Sequence, residues 1–322
     1  MNIRAYIEDK WDALRYGGGS RVSGSTLGKI GLGLLVLILL YYPVGMLMVH
    51  RIDDDTTFRP EISSGQSQTV ANAVGLVRRE VDDYRWTSMD PFFMPGAALD
   101  NMPNYQQGII SAISRFAIEM SDQIGRVRGA SQVDGDLDKA AGLLKYKPDV
   151  WVYDISESLL PTRSSAEQYR LGADALASYN QRLGEGQAVF EKRADNLLAT
   201  LDRFAADLGS ASAVIDNSVR DLYTFSTSSD DVFYRTKGRL YAYYLLLEGL
   251  KADYAQLIAE RNLETAWDLM LASMREAAEM DPLVVINGDP DAIMLPSHLA
   301  AQGFYLLRAR TQLREISNIL LK

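Results

Sequence analysis

Chemistry in this sequence would have to come from few residue types. There is no cysteine, and His50 and His298 are the two histidines. Thiolate nucleophiles, disulfides and clustered Cys or His metal ligands are thereby excluded within one chain. Carboxylates remain. Asp134, Asp136 and Asp138 in DGDLDK stand at calcium-loop spacing, but Lys139 and Lys145 occupy the positions that need glycine and glutamate. That run reads as a solvated loop and helix N-cap. Asp289 and Asp291 lie beside an Asn-Gly pair and read as turn residues. A pair of carboxylates can cleave a glycosidic bond without any histidine. With 39 of the 42 acidic residues beyond residue 50, however, the sequence singles out no such pair. His298 reads as a surface or interhelical residue. No G-x-S-x-G, S-x-x-K or H-E-x-x-H occurs, and RTKG at 235–238 lacks its companion motifs. GSTLGKIG, from Gly24, has one residue too few between its glycines for a phosphate loop, and Ile30 follows Lys29. No catalytic residue, metal or cofactor is assigned.

Recognition is better represented. DPFFMPGAALDNMPNYQQG, residues 90–108, carries Pro91, Pro95 and Pro103, which argue for a loop rather than a continuous helix or a central strand. Loops lie at the surface, yet this one holds Phe92, Phe93, Met94 and Met102. The favoured reading folds the rings inward to close the end of a bundle, each worth about 1.5–3 kcal/mol of burial. The competing reading leaves them outside as a patch for a partner or a membrane. The tyrosines 234, 241, 243, 244 and 254 form a second group. They read mainly as a buried stripe with hydroxyls at its margin, with Tyr241 facing elsewhere and available to a groove. Phe92, Phe93, Met94, Met102 and Tyr241 are the partner-contact candidates.

The elements that would position these residues begin in a membrane. Ile30–Val49 is uncharged throughout, and at about 1.5 Å per residue a helix of that length crosses a bilayer core of about 30 Å. Tyr41 and Tyr42 suit the far interface, and Pro43 kinks the helix near its end. HRIDDD follows with no small-residue cleavage pattern, so an uncleaved anchor is favoured over a signal peptide. Five Lys/Arg precede the span, which places the N-terminus in the cytoplasm. The remainder, at −11 of the net −9, is acidic and argues against a nucleic-acid partner.

Beyond the span the period is helical. Val70, Val74, Val77 and Val81 mark one helix; Ile109, Ile113, Phe116 and Met120 mark another, ending in GRVRGAS. Leu176, Leu183, Phe190, Leu197 and Phe204 recur every seven residues, with Leu201, Leu208 and Ile215 behind them. That is a sustained seam with a kink expected at Gly184 and Gly186. Further helices are expected after TSSDD at 227–231, through Trp267 and Met274, and after Ser297, with LVVINGDPD a β-prone crossover between the last two. The expected fold is all-α: one N-terminal transmembrane helix followed by an elongated antiparallel helical bundle. Residues 1–29 are a cytoplasmic tail, 30–49 the span, 50–65 a linker and 66–322 the exported domain, with a division into two subdomains near 161 as the alternative.

DPFFMPGAALDNMPNYQQGIISAISRF, SDQIGRVRGAS, YKPDVW and FEKRADNLLATLDRFAADLGSAS resemble the DUF2333 family of bacterial membrane-anchored proteins. The resemblance implies a single-pass exported module over nearly the whole chain after the span, and no mechanism. The expected location is the bacterial inner membrane, with the main domain in the periplasm. The expected role is a non-enzymatic scaffold or adaptor of the cell envelope that recruits a protein partner; homo-oligomerisation is compatible with the same faces. A carboxylate-dependent hydrolase of an envelope polymer, or a module binding a peptide, lipid or glycan, is the alternative.

Overall fold

The computed structural model describes residues 24–124, 133–153, 160–220, 227–288 and 297–322, and every regular element among them is helical. Helix α1 is Gly24–Val49, which contains Pro43. It starts before Lys29, so the helix is longer than its uncharged run. From Gly28 to Val49 it is long and apolar enough to cross a membrane. The tail before Gly24, the GRVRGAS run and the Asp289–Asp291 turn lie outside the described residues.

Five of the later helices start where the sequence supplies a side-chain cap. In α2 (Gln68–Arg78) the Ser67 side chain accepts from the Val70 N–H. In α3 (Asn101–Glu119) the Asp100 side chain accepts from the Asn101 N–H. This helix absorbs Pro103, contrary to the expectation of a loop to residue 108. A proline in the first turn removes only an N–H that has no intrahelical acceptor. Asp134 caps α4 (Gly135–Leu143), and Arg182 pairs with Asp134 and Asp136, so the DGD run serves as a cap and an ion pair. Ser164 opens α5 (Ser165–Gly184) and Ser297 opens α10 (His298–Leu320) by the same bond to the third following N–H.

The heptad seam is broken rather than kinked. It is divided between α5 and α6 (Ala194–Arg220), and Gly186 between them takes a φ of +71° that only glycine adopts without strain. Helix α7 (Thr227–Asp253) is followed by the short α8 (Ala255–Glu260) and by α9 (Glu264–Ala278). Asn262, with a positive φ, turns the chain between the last two. The β-prone run at 283–288 forms no strand; the Ile286 N–H donates to His298 Nδ1 and the His298 N–H to the Ile286 carbonyl, which fixes the histidine as a structural residue.

Helix α7 is the axis of the bundle. Every residue from Leu240 to Leu247 is buried, so this helix has no solvent face over that stretch. Helices α2, α3 and α9 pack directly on it, α5 and α4 extend the α2 side, and α10 joins α9 to α6. The α3–α7 crossing is set by glycine. A Cβ on Gly108 would lie 2.1 Å from the Arg235 carbonyl oxygen, and one on Gly238 would lie 2.0 Å from that of Tyr105. Apolar side chains from Val70 to Leu320 merge into one continuous core.

Candidate functional site where the apolar helix meets the module

The far half of α1 does not stand free. Tyr42, Gly45, Met46 and Val49 recur at helical spacing and are the partly covered face of the helix. The loop between α2 and α3 covers them. The Tyr41 hydroxyl donates to the Phe93 carbonyl at 3.1 Å, and the Tyr42 hydroxyl donates to the Phe92 carbonyl at 2.5 Å. Gly45 allows the approach: a Cβ there would lie 2.6 Å from the Pro95 ring.

The loop is built by its own turns. The Met94 N–H donates to the Pro91 carbonyl, Ala97 to Met94 and Leu99 to Gly96. Asp90 is held beneath it by Arg85 at 2.7 Å, and Arg85 also donates to Met94 Sδ. Phe92 is 84% exposed and Phe93 46%, so the inward-folded reading of these rings does not hold. Phe93 stands edge-on to Trp151, which stands edge-on to Tyr153. Met94 is half-buried. Two other partner-contact candidates are corrected: Met102 and Tyr241 are wholly buried and offer no surface. Met102 is inside because α3 begins before it. Tyr241 is inside because α7 is surrounded.

Tyr241 belongs instead to a polar network that grips the segment after α1. Its hydroxyl donates to the Asp55 carbonyl at 2.8 Å, and the Tyr105 hydroxyl donates to the Asp53 carbonyl at 2.6 Å. Arg79 donates to the Tyr241 hydroxyl and to the Asp53 carbonyl, and Tyr84 donates to the Asp53 carboxylate. The ring faces of Tyr241, Phe58 and Tyr84 surround the Arg79 guanidinium at 5.1–5.6 Å. Lys237, fully buried, places Nζ 2.7 Å from Asp54 and donates to the Met280 carbonyl.

Glu80 completes the network. It accepts Arg79 Nε and Nη2, while Gln106 donates to its carbonyl and reaches Oε2 at 3.3 Å. Burial pushes the Glu80 carboxyl up to about 7, against the charge and hydrogen bonds of Arg79. For Arg79, burial works against the charge, but Glu80 and the surrounding groups hold the guanidinium above its ordinary value. Sequence motifs missed this network. Its one legible signal was phase: Glu80 follows Leu76 and Val77 on the apolar stripe of its helix, and Lys237 sits between Phe233 and Tyr241 on another.

The far end of the axis makes a second lock. Asp253 accepts from Ser67 Oγ, Thr69 Oγ1 and the Gln68 and Thr69 N–H groups, so the end of α7 caps the start of α2. A cleft of about 480 Å³ carries Arg115, Lys145, Arg235 and Arg239 beside Tyr146 and Tyr169. Asp207 lies 3.6 Å from both Arg115 and Arg239. Asp100, Asp230 and Asp231 gather at the junction of α3 and α7, where burial and the neighbouring carboxylates push Asp230 up to about 6. Among the described residues no trio of His, Cys, Asp or Glu is arranged to hold a metal ion.

No curated protein and no solved structure matches the chain. The matching family model covers residues 84–229, from Tyr84 through the aromatic loop, α3, α4, α5 and α6 to the first residues of α7. All of the sequence runs quoted above for the resemblance fall inside it, whereas Arg79, Glu80 and most of α7 fall outside. Over residues 84–229 the chain is similar to the DUF2333 family, described as an uncharacterized protein conserved in bacteria.

Proposed function

We propose that the protein is a single-pass membrane protein whose helical module, residues 66–322, stands on the periplasmic side as a non-enzymatic scaffold or adaptor of the cell envelope. Residues 1–29 are its cytoplasmic tail, 30–49 its span and 50–65 its connector. The observation that carries this reading is the grip on the connector. Asp53, Asp54 and Asp55 are bonded to Arg79, Tyr105, Lys237 and Tyr241, so the module is seated on the end of its anchor. A tether for a diffusing enzyme would need slack there. The Tyr41 and Tyr42 bonds to the loop also favour a retained anchor, because cleavage would strip two loop carbonyls of their donors.

The test joins topology to partnership. Single cysteines at exposed Leu160 and Ala259, in a chain with none of its own, are expected to react with a membrane-impermeant maleimide in spheroplasts. Cross-linking in intact cells is then expected to recover one envelope protein in near-stoichiometric amount. Protection of both cysteines, or repeated recovery of the chain alone, contradicts the reading. The alternative of a binding module draws on the basic cleft at Arg115, Lys145, Arg235 and Arg239, whose charge suits an anionic ligand.

A further inference from the structure

We infer that the Phe92–Phe93 loop is a lipid-inserting wedge: it enters the leaflet that surrounds the far half of α1, with Trp151 and Tyr153 behind it at the headgroup level. The inference rests on the reading that α1 spans a bilayer, and it assigns the lipid itself as the occupant of the exposed aromatic patch.

Position comes first. Tyr42 precedes Val49 by seven residues, which is about 10 Å of helix rise. Side chains on a helix lean toward its N-terminus, so the tyrosine hydroxyls lie no nearer the end of the span than their own Cα atoms. The Phe92 and Phe93 carbonyls are bonded to those hydroxyls and share their level. The loop therefore lies alongside the apolar helix rather than beyond its end. A depth of about 5–10 Å is the depth at which interfacial elements sit.

Composition agrees. PFFMPGAAL, from Pro91 to Leu99, contains no charge. Asp90, which precedes it, has its carboxylate turned away to Arg85, with a side chain 1% exposed. Facing out are the Phe92 and Phe93 rings, then Ala97 and Ala98.

Several of the loop's backbone acceptors are also prepared for a place without water, where polar groups need internal partners. Pro91 and Pro95 have no N–H to satisfy. The Pro91, Met94 and Gly96 carbonyls are met by turns, and those of Phe92 and Phe93 by the tyrosines of the span. A water-facing loop would need neither tyrosine. Half-buried Trp151 and Tyr153, 57% exposed, follow edge-on from Phe93, and they are the residue types that collect where acyl chains meet headgroups.

The full chain, free of native cysteine, allows a direct depth measurement. Single variants Phe92→Cys, Leu37→Cys and Ala259→Cys would each carry an environment-sensitive nitrobenzoxadiazole probe in phosphatidylethanolamine–phosphatidylglycerol liposomes. Phe92 and Leu37 are exposed, so neither substitution disturbs the core. Ala259 lies past Asp253, and the sixteen residue steps of α7 from Lys237 to Asp253 rise about 24 Å away from the Asp54 contact beside the end of α1. Lipids nitroxide-labelled in the acyl chain are expected to cut emission roughly twofold or more at Phe92 and Leu37 and to leave Ala259 unchanged. Quenching at Leu37 without quenching at Phe92 overturns the wedge while sparing the span, and leaves the patch to a protein partner. Equal quenching at Ala259 overturns it as well, since contact would then be indiscriminate. No quenching at Leu37 removes the spanning reading and the wedge with it.

Discussion

At the scale of single residues, the most consequential side chain is Glu80, a carboxyl with no solvent exposure beside Arg79. Its ordinary value is 4.5 and burial raises it to about 7 in the fold. Between those values the folded chain binds more protons at this site than the unfolded chain, so its contribution to stability falls as pH rises. Below about 4.5 the contribution is fully present; above about 7 it is lost. The window amounts to something on the order of 3 kcal/mol. Asp230, also raised, adds slope of the same sign, and His298, whose value burial lowers, adds slope of the opposite sign. The comparison must therefore be between proteins. Urea midpoints of the wild type and Glu80→Gln across pH 4.5–7 are expected to differ in slope, with the variant's profile less negative. Parallel profiles would show that Glu80 stays ionised throughout.

At the scale of elements, the bundle depends on how closely α3 and α7 approach. Gly238→Ala would press a methyl against the Tyr105 backbone, and a backbone carbonyl cannot turn aside as a side-chain tip can. The expected cost is about 1–3 kcal/mol, read as a lowered thermal midpoint with helicity retained. Gly142→Ala, where a Cβ meets nothing within 4 Å, is the matching control and is expected to be neutral or slightly stabilising. The elements themselves were largely legible beforehand. The long apolar helix announced itself by the missing charge, Ser164 and Ser297 marked helix starts, and the valine and leucine periods gave the faces. The misreadings share a cause. Pro103 looked like a breaker, but position within the first turn decides what a proline does. Gly186 looked like a kink, but a positive φ ends a helix outright. Phe92 and Phe93 looked like core, because a ring suited to a protein interior is equally suited to hydrocarbon. Only the position of α1 beside the loop separates those readings, and no period in the sequence encodes it.

At the scale of the whole molecule, anchor and module are one mechanical unit. A chain beginning at Gln66 loses the acceptors that Asp53, Asp54 and Asp55 supply to four buried donors, those of Arg79, Tyr105, Lys237 and Tyr241. Each buried donor left without a partner costs about 1–3 kcal/mol. Arg79 keeps Glu80 and Lys237 keeps the Met280 carbonyl, whereas Tyr105 and Tyr241 lose their acceptors outright. A soluble chain beginning at His50 is thus expected to exceed one beginning at Gln66 by at least about 2 kcal/mol in denaturant unfolding, well beyond what the polar character of residues 50–65 would suggest. Equal stabilities would mean that water replaces the missing acceptors without loss. The order of synthesis gives this arrangement a further meaning. Asp55 emerges from the ribosome 186 residues ahead of Tyr241, its hydrogen-bond donor. Closing so long a loop is slow compared with forming local helix. The stretch made first is therefore seated last, and until then the N-terminal helix of a nascent chain has no fixed orientation against the module.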